Sequence, residues 1–184
     1  VPAKAAPETI NKDAGREPVS LGKAWTALFN GRLGGGSLGT LPTTKLQERA
    51  LRLADCLERL DRKRLRAEIA KARETRSRLT LGSLANPSCD LDPTAAVFAA
   101  QLAAREFAQS PPSGQGKTCL ELERLAKNLH CDGKPGAATQ KLLNAFLACA
   151  GYEDVFRLDG KPETTTREDY LFVAFLALHE SNPE

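Results

Sequence analysis

The chain has 184 residues and a formal net charge of +3, the length of one domain or at most two small ones. Alanine and leucine supply 27 residues each, whereas isoleucine and valine together supply seven; strands draw on β-branched and aromatic side chains, so this ratio excludes most sheet architectures. No apolar run approaches the roughly 18 residues of a membrane-spanning helix, and so small a net charge does not by itself imply a polyanionic partner.

The chain begins at Val1, contains no Met and shows no basic-then-apolar leader, so it reads as a processed chain or an excised fragment. Residues 1–19 are polar, carry Pro2, Pro7 and Pro18, and read as an extended arm before a single helical domain over 20–184. Ser20 is placed to cap a helix over 21–30, with Trp25, Leu28 and Phe29 on one side and Gly31 as its stop. The stretch GRLGGGSLG at 31–39 holds five glycines in nine residues, a loop or hinge on conformational entropy alone, so 31–42 reads as a connector.

The longest helical pattern opens at Pro42 with Thr43 or Thr44. Leu46, Ala50, Leu53, Leu57 and Leu60 step by four and three, after which the phase slips to Leu65, Ile69 and Ala72. Asp61 sits at the slip. Two helices, the second capped by Asp61, and one continuous bent helix satisfy the pattern equally, running to about Arg78.

Asp92-Pro93 is a start signal, a capping carboxylate followed by a proline at the first helical position. That helix carries Val97, Phe98, Leu102 and Phe107 and stops near Ser110. The next begins at Lys117 or Thr118, carries Leu120, Leu122, Leu125 and Leu129, and ends at Asp132-Gly133. Another runs from about Gly136 to Ala150, closed by Gly151. The last opens at Thr166 with Glu168 and Asp169 in its first turn, where acids suit the helix dipole. It then reads LFVAFLAL over 171–178, and a helix apolar all round is buried all round. The expected fold is therefore all-α, a compact bundle or orthogonal array of about six to seven helices with a buried C-terminal helix.

Several motifs resemble reactive sites and fail on context. SGQGKT at 113–118 ends like a phosphate-binding loop, but position 111, where that loop needs its first glycine, is proline, and no strand precedes it. GGGSLG at 34–39 fits G-x-G-x-x-G without any βαβ unit around it. Cys119 and His130, read as lying on one helix, are separated by about 16 Å of axis and cannot share a zinc ion; Cys131 with Cys149 and His179 makes an incomplete set. No metal or cofactor is expected.

Five cysteines (56, 89, 119, 131 and 149) are scattered without a C-x-x-C. Such residues usually behave as small buried hydrophobes, which leans towards a reducing intracellular compartment, including one reached by delivery into another cell. Cys89 is the one candidate nucleophile. It precedes the helix that starts at Asp92, and a helix N-terminus favours thiolate, whereas Asp90 and Asp92 oppose it. The chemistry it would support is a thiol-dependent transferase acting on proteins, with Asp90 as base or orienter.

Charge supplies the last candidate. Residues 62–78 hold eight Lys/Arg against Glu68 and Glu74, while 153–184 hold eight acids against three basic residues. On a helix, Arg64, Lys71 and Arg78 repeat at seven-residue steps with Arg62, Arg66 and Arg73 beside them, and Leu65, Ile69 and Ala72 face inward. No aromatic falls between Phe29 and Phe98 to stack on bases, and no helix-turn-helix is evident, so nucleic acid is possible but not favoured. The leading expectation is a protein-interaction or scaffold module. It would bind an acidic partner through this basic helix; by analogy, such modules occur as parts of larger multidomain proteins, including effectors that bacteria deliver into host cells.

Overall fold

A computed structural model describes residues 20–35, 44–79, 92–109 and 117–181. The arm over 1–19 lies outside them. The described residues form seven α-helices and no strand: α1 (Leu21–Gly35), α2 (Thr44–Glu58), α3 (Arg62–Thr75), α4 (Pro93–Gln109), α5 (Lys117–Asn128), α6 (Ala137–Ala150) and α7 (Arg167–Ser181).

Local chemistry sets the helix starts. Ser20 Oγ accepts the Lys23 N–H at 3.1 Å at the head of α1. Asp92 Oδ1 accepts the Ala95 N–H at 2.9 Å at the head of α4, and its second oxygen takes Arg49 at 3.0 Å. At α7, Thr166 Oγ1 accepts the Asp169 N–H and the Asp169 carboxylate accepts the Thr166 N–H, a reciprocal capping pair. The phase slip at 60–62 marks a true break between α2 and α3. Asp61 has extended φ/ψ, and its carboxylate accepts the N–H groups of Lys63 and Arg64 at 2.9 and 3.3 Å.

Three boundaries differ from the sequence reading. α1 continues through Gly31 to Gly35, so the first part of the expected connector is helical, the rest lying outside the described residues. Glycine lowers helix propensity by about 1 kcal/mol per residue without forbidding the conformation. α3 ends at Thr75 rather than Arg78, and α5 ends at Asn128, four residues before Asp132-Gly133, so His130 lies beyond that helix.

The centre of the molecule is the packing of α7 against α4. Residues 170–178 of α7 are all buried, each at most 2% exposed. α4 matches it with twelve buried residues of 17, seven of them alanine, and small side chains let two helix axes approach closely. Trp25 and Phe29 of α1 meet Phe98 of α4 edge-on, with centroids 6.2 and 5.8 Å from it. α1 crosses α2 at Gly22, where a Cβ would fall 2.5 Å from the Ala54 carbonyl oxygen, so only glycine fits. α5 and α6 form an antiparallel hairpin on the other side, where Phe146 packs on Phe107 at 5.0 Å.

α3 is the outlying helix. Of its 14 residues only Arg62, Leu65 and Ala72 are buried, with Ile69 packed partly against the core. This is the inward stripe expected from the sequence, and it is thin.

Candidate functional site

With so narrow an inward stripe, most of α3 faces water, and helical geometry decides which cations stand together. At about 100° per residue, Arg64 and Lys71 share one flank of α3. Arg62, Arg66 and Arg73 share the opposite flank, across the Leu65/Ile69/Ala72 stripe. Arg78 lies past the helix end, because Arg76 turns left-handed (φ 55°, ψ 39°) and closes α3. The seven-residue alignment of Arg64, Lys71 and Arg78 therefore stops at Lys71.

The six cations then have different fates. Arg62 is buried at 6% exposure. Arg73 reaches the acidic segment after α6: its Nε donates to Asp154 Oδ2 at 2.8 Å, and one terminal nitrogen donates to Asp154 Oδ1 at 3.4 Å and to the Gly151 carbonyl at 2.7 Å. Gly151 closes α6 in the left-handed conformation (φ 87°), so Arg73 also serves a helix C-terminus, where a cation suits the dipole. Arg78 lies 4.8 Å above the Phe156 ring, a cation–π contact. The backbone between these anchors is tied down as well, Leu79 N–H donating to the Val155 carbonyl at 2.9 Å. Arg66 is exposed but engaged.

Arg64 and Lys71 remain. Both are exposed, and neither side chain has a counter-ion among the described residues. Between the flanks, the outermost line of α3 carries Lys63, Ala67, Ala70 and Glu74, all exposed. The two alanines leave a flat strip bordered by charge.

Electrostatics bears out this division. The Arg73 hydrogen bond holds the Asp154 carboxyl below the usual carboxylate range, and the same contact raises the Arg73 guanidinium. Beside them, Tyr152 donates to the Glu180 carboxylate at the end of α7. Burial, and then that carboxylate, push the phenol well above its ordinary range. Sequence reasoning noted the acid-rich 153–184 segment but could not pair Asp154 with Arg73 across 81 positions.

The remaining candidates fare differently. Cys89 and Asp90 lie outside the described residues, as does most of the glycine motif at 34–39 and of SGQGKT, whose Lys117 and Thr118 begin α5. The expectation of unpaired buried cysteines is corrected: Cys119 and Cys149 form a disulfide with Cα atoms 4.8 Å apart, and Cys56 is disulfide-bonded too. Cys119 and Cys149 are thereby removed from any zinc set, and the described residues contain no group of three or more potential ligands suited to a metal. His179 sits beside Phe175, with ring centroids 6.3 Å apart, and His130 is exposed. The described residues line several open surface clefts. One of about 520 Å³ between α4 and α5 is lined by Arg105, Gln109, Glu123 and Lys127 with alanines, and brings together no nucleophile and base. No helix among the described residues is long and apolar enough to cross a membrane.

The fold and the α3 face define an all-α helical protein with one outlying basic helix. No protein-family model, curated protein or solved structure matches this chain.

Proposed function

We propose that the chain is a protein-interaction module that receives an acidic partner segment on the outer face of α3, through Arg64 and Lys71. The single observation that carries this reading is that these two cations stand on one flank with no ion pair to either side chain among the described residues, whereas Arg73 and Arg78 are satisfied inside the molecule. Arg64 and Lys71, with Glu68 between them in the sequence, leave net positive charge on that flank, and such a surface attracts and orients an acidic partner. The flat Ala67/Ala70 strip lets a partner helix or strand approach closely between the charged borders.

Two other readings rank below it. Nucleic acid would be held by neutralising several phosphates in sequence, and dividing the cations between two flanks leaves too few on either. A transferase at Cys89 has no assembled catalytic set behind it among the described residues.

The test is retention from lysate of the source cells, with and without nuclease treatment, on immobilised wild-type chain and on the R64E/K71E variant. The expected result is a protein held by wild type, released by salt and absent from the variant. Equal retention on both would reject α3 as the binding face. Loss of the retained material on nuclease treatment would transfer the assignment to nucleic acid.

A further inference from the structure

We propose that this chain matures and works in an oxidising compartment, where Cys119–Cys149 is a permanent fastener of the α5–α6 hairpin installed by a dithiol–disulfide oxidoreductase. The inference is independent of the α3 reading and runs opposite to the reducing compartment expected from cysteine spacing.

The first observation is mechanical. Cys119 lies in the first turn of α5 and Cys149 in the last turn of α6, the open end of an antiparallel hairpin. α5 buries only Cys119, Leu122 and Ala126 among its 12 residues, and Leu120 is 64% exposed, so the core grips it weakly. The closed end already has its own clasp. Gln101 Oε1 accepts the Gly133 N–H at 2.9 Å, and its amide nitrogen donates to Thr139 Oγ1 at 2.9 Å and to the Lys134 carbonyl at 3.3 Å. The disulfide joins α5 to α6 at the opposite end.

The second observation concerns the other cysteines. Cys56 of α2, 5% exposed, is disulfide-bonded as well. Cys131, the free cysteine among the described residues, is completely buried. Its Sγ accepts from Arg105 at 3.8 Å. Burial raises its pKa in spite of that guanidinium, so it is held as thiol rather than the thiolate that attacks disulfides. Reducing compartments keep thiols reduced. A chain that ties two helices together by a disulfide, carries a second disulfide-bonded cysteine, and seals the free thiol among its described residues from exchange is built for oxidising surroundings.

The chemistry balances with one co-reactant. The thiolate of one cysteine attacks the catalytic disulfide of the oxidoreductase, forming a mixed disulfide and releasing one of its thiols. The second cysteine thiolate displaces the other. The Cys119–Cys149 bond forms, two protons leave from the cysteine thiols, and the oxidoreductase departs reduced, carrying the electron pair.

The test alkylates the chain with a permeant maleimide inside the cells that naturally make it, before lysis, followed by digestion without reductant. Recovery of the Cys119 peptide joined to the Cys149 peptide is expected, with Cys131 alkylated only after unfolding; recovery of Cys119 and Cys149 as maleimide adducts would overturn the proposal. A second measurement compares the full chain expressed with and without a secretion leader. Cleavage of the α5–α6 hairpin by protease should be about tenfold slower for the exported form, a difference that C119A/C149A abolishes. Equal cleavage of the two wild-type forms would mean that the bond fastens nothing.

Discussion

Arg76 is the one non-glycine residue among those described with a positive φ, at 55°. Its N–H and that of Ser77 turn back onto the Ala72 carbonyl and end α3. A residue with a Cβ pays about 1–2 kcal/mol for this conformation, which is why glycine is common at such stops. The Arg76 side chain is exposed, so Arg76→Gly should raise stability by about 0.5–1 kcal/mol in a denaturant titration. A loss of similar size would mean that the side chain holds α3 in place. Asp154 gives a second prediction. Its folded pKa is lowered by Arg73, so the pair contributes stability above about pH 4, the unfolded carboxylate value, which is lost as pH falls through the folded value. The partners are 48% and 54% exposed, so screening keeps the contribution under about 1 kcal/mol. Asp154→Asn should be less stable than wild type at neutral pH and equal to it in strong acid. A gap that persists in acid would assign the effect to something other than the ion pair.

Among the elements, α7 and α4 carry the fold and α3 rides on its edge. Phe175 is fully buried and packs on Phe172 at 6.3 Å, so Phe175→Ala should cost about 3–5 kcal/mol. A cost below about 1 kcal/mol in the same titration would place α7 near the surface. The unbroken apolar run at 171–178 made α7 legible from sequence, and Asp92-Pro93, Gly136 and Gly151 marked helix ends that the structure keeps. α4 was legible as a helix but not as the second half of the core. Its burial rests on alanines, which are weakly hydrophobic and give little periodic contrast beside Val97, Phe98, Leu102 and Phe107. The disulfide was illegible for a geometric reason. Cys119 and Cys149 are 30 positions apart, and only the register of the α5–α6 hairpin brings them within the 4.4–6.8 Å range of Cα separations a disulfide bridges. The basic face was half legible: Leu65 and Ala72 point inward as their spacing requires, but extending the seven-residue step to Arg78 assumed a helix that Arg76 terminates.

At the scale of the whole molecule, the contrast between a basic 62–78 segment and an acidic 153–184 segment is resolved in two ways at once. Arg73 and Arg78 join α3 and the residues just after it to the 151–156 segment that follows α6. Arg64 and Lys71 face away from that seam. The central claim is this division of labour along one helix, and thermal unfolding of two charge reversals tests it most directly. R73E places a carboxylate against Asp154 and the Gly151 carbonyl, and should lower the melting temperature by about 2–6 °C, the equivalent of 1–2 kcal/mol in a chain of this size. R64E/K71E should melt within about 0.5 kcal/mol of wild type, as surface changes without partners do. Marked destabilisation by R64E/K71E together with an unchanged R73E would reverse the two roles and contradict the account.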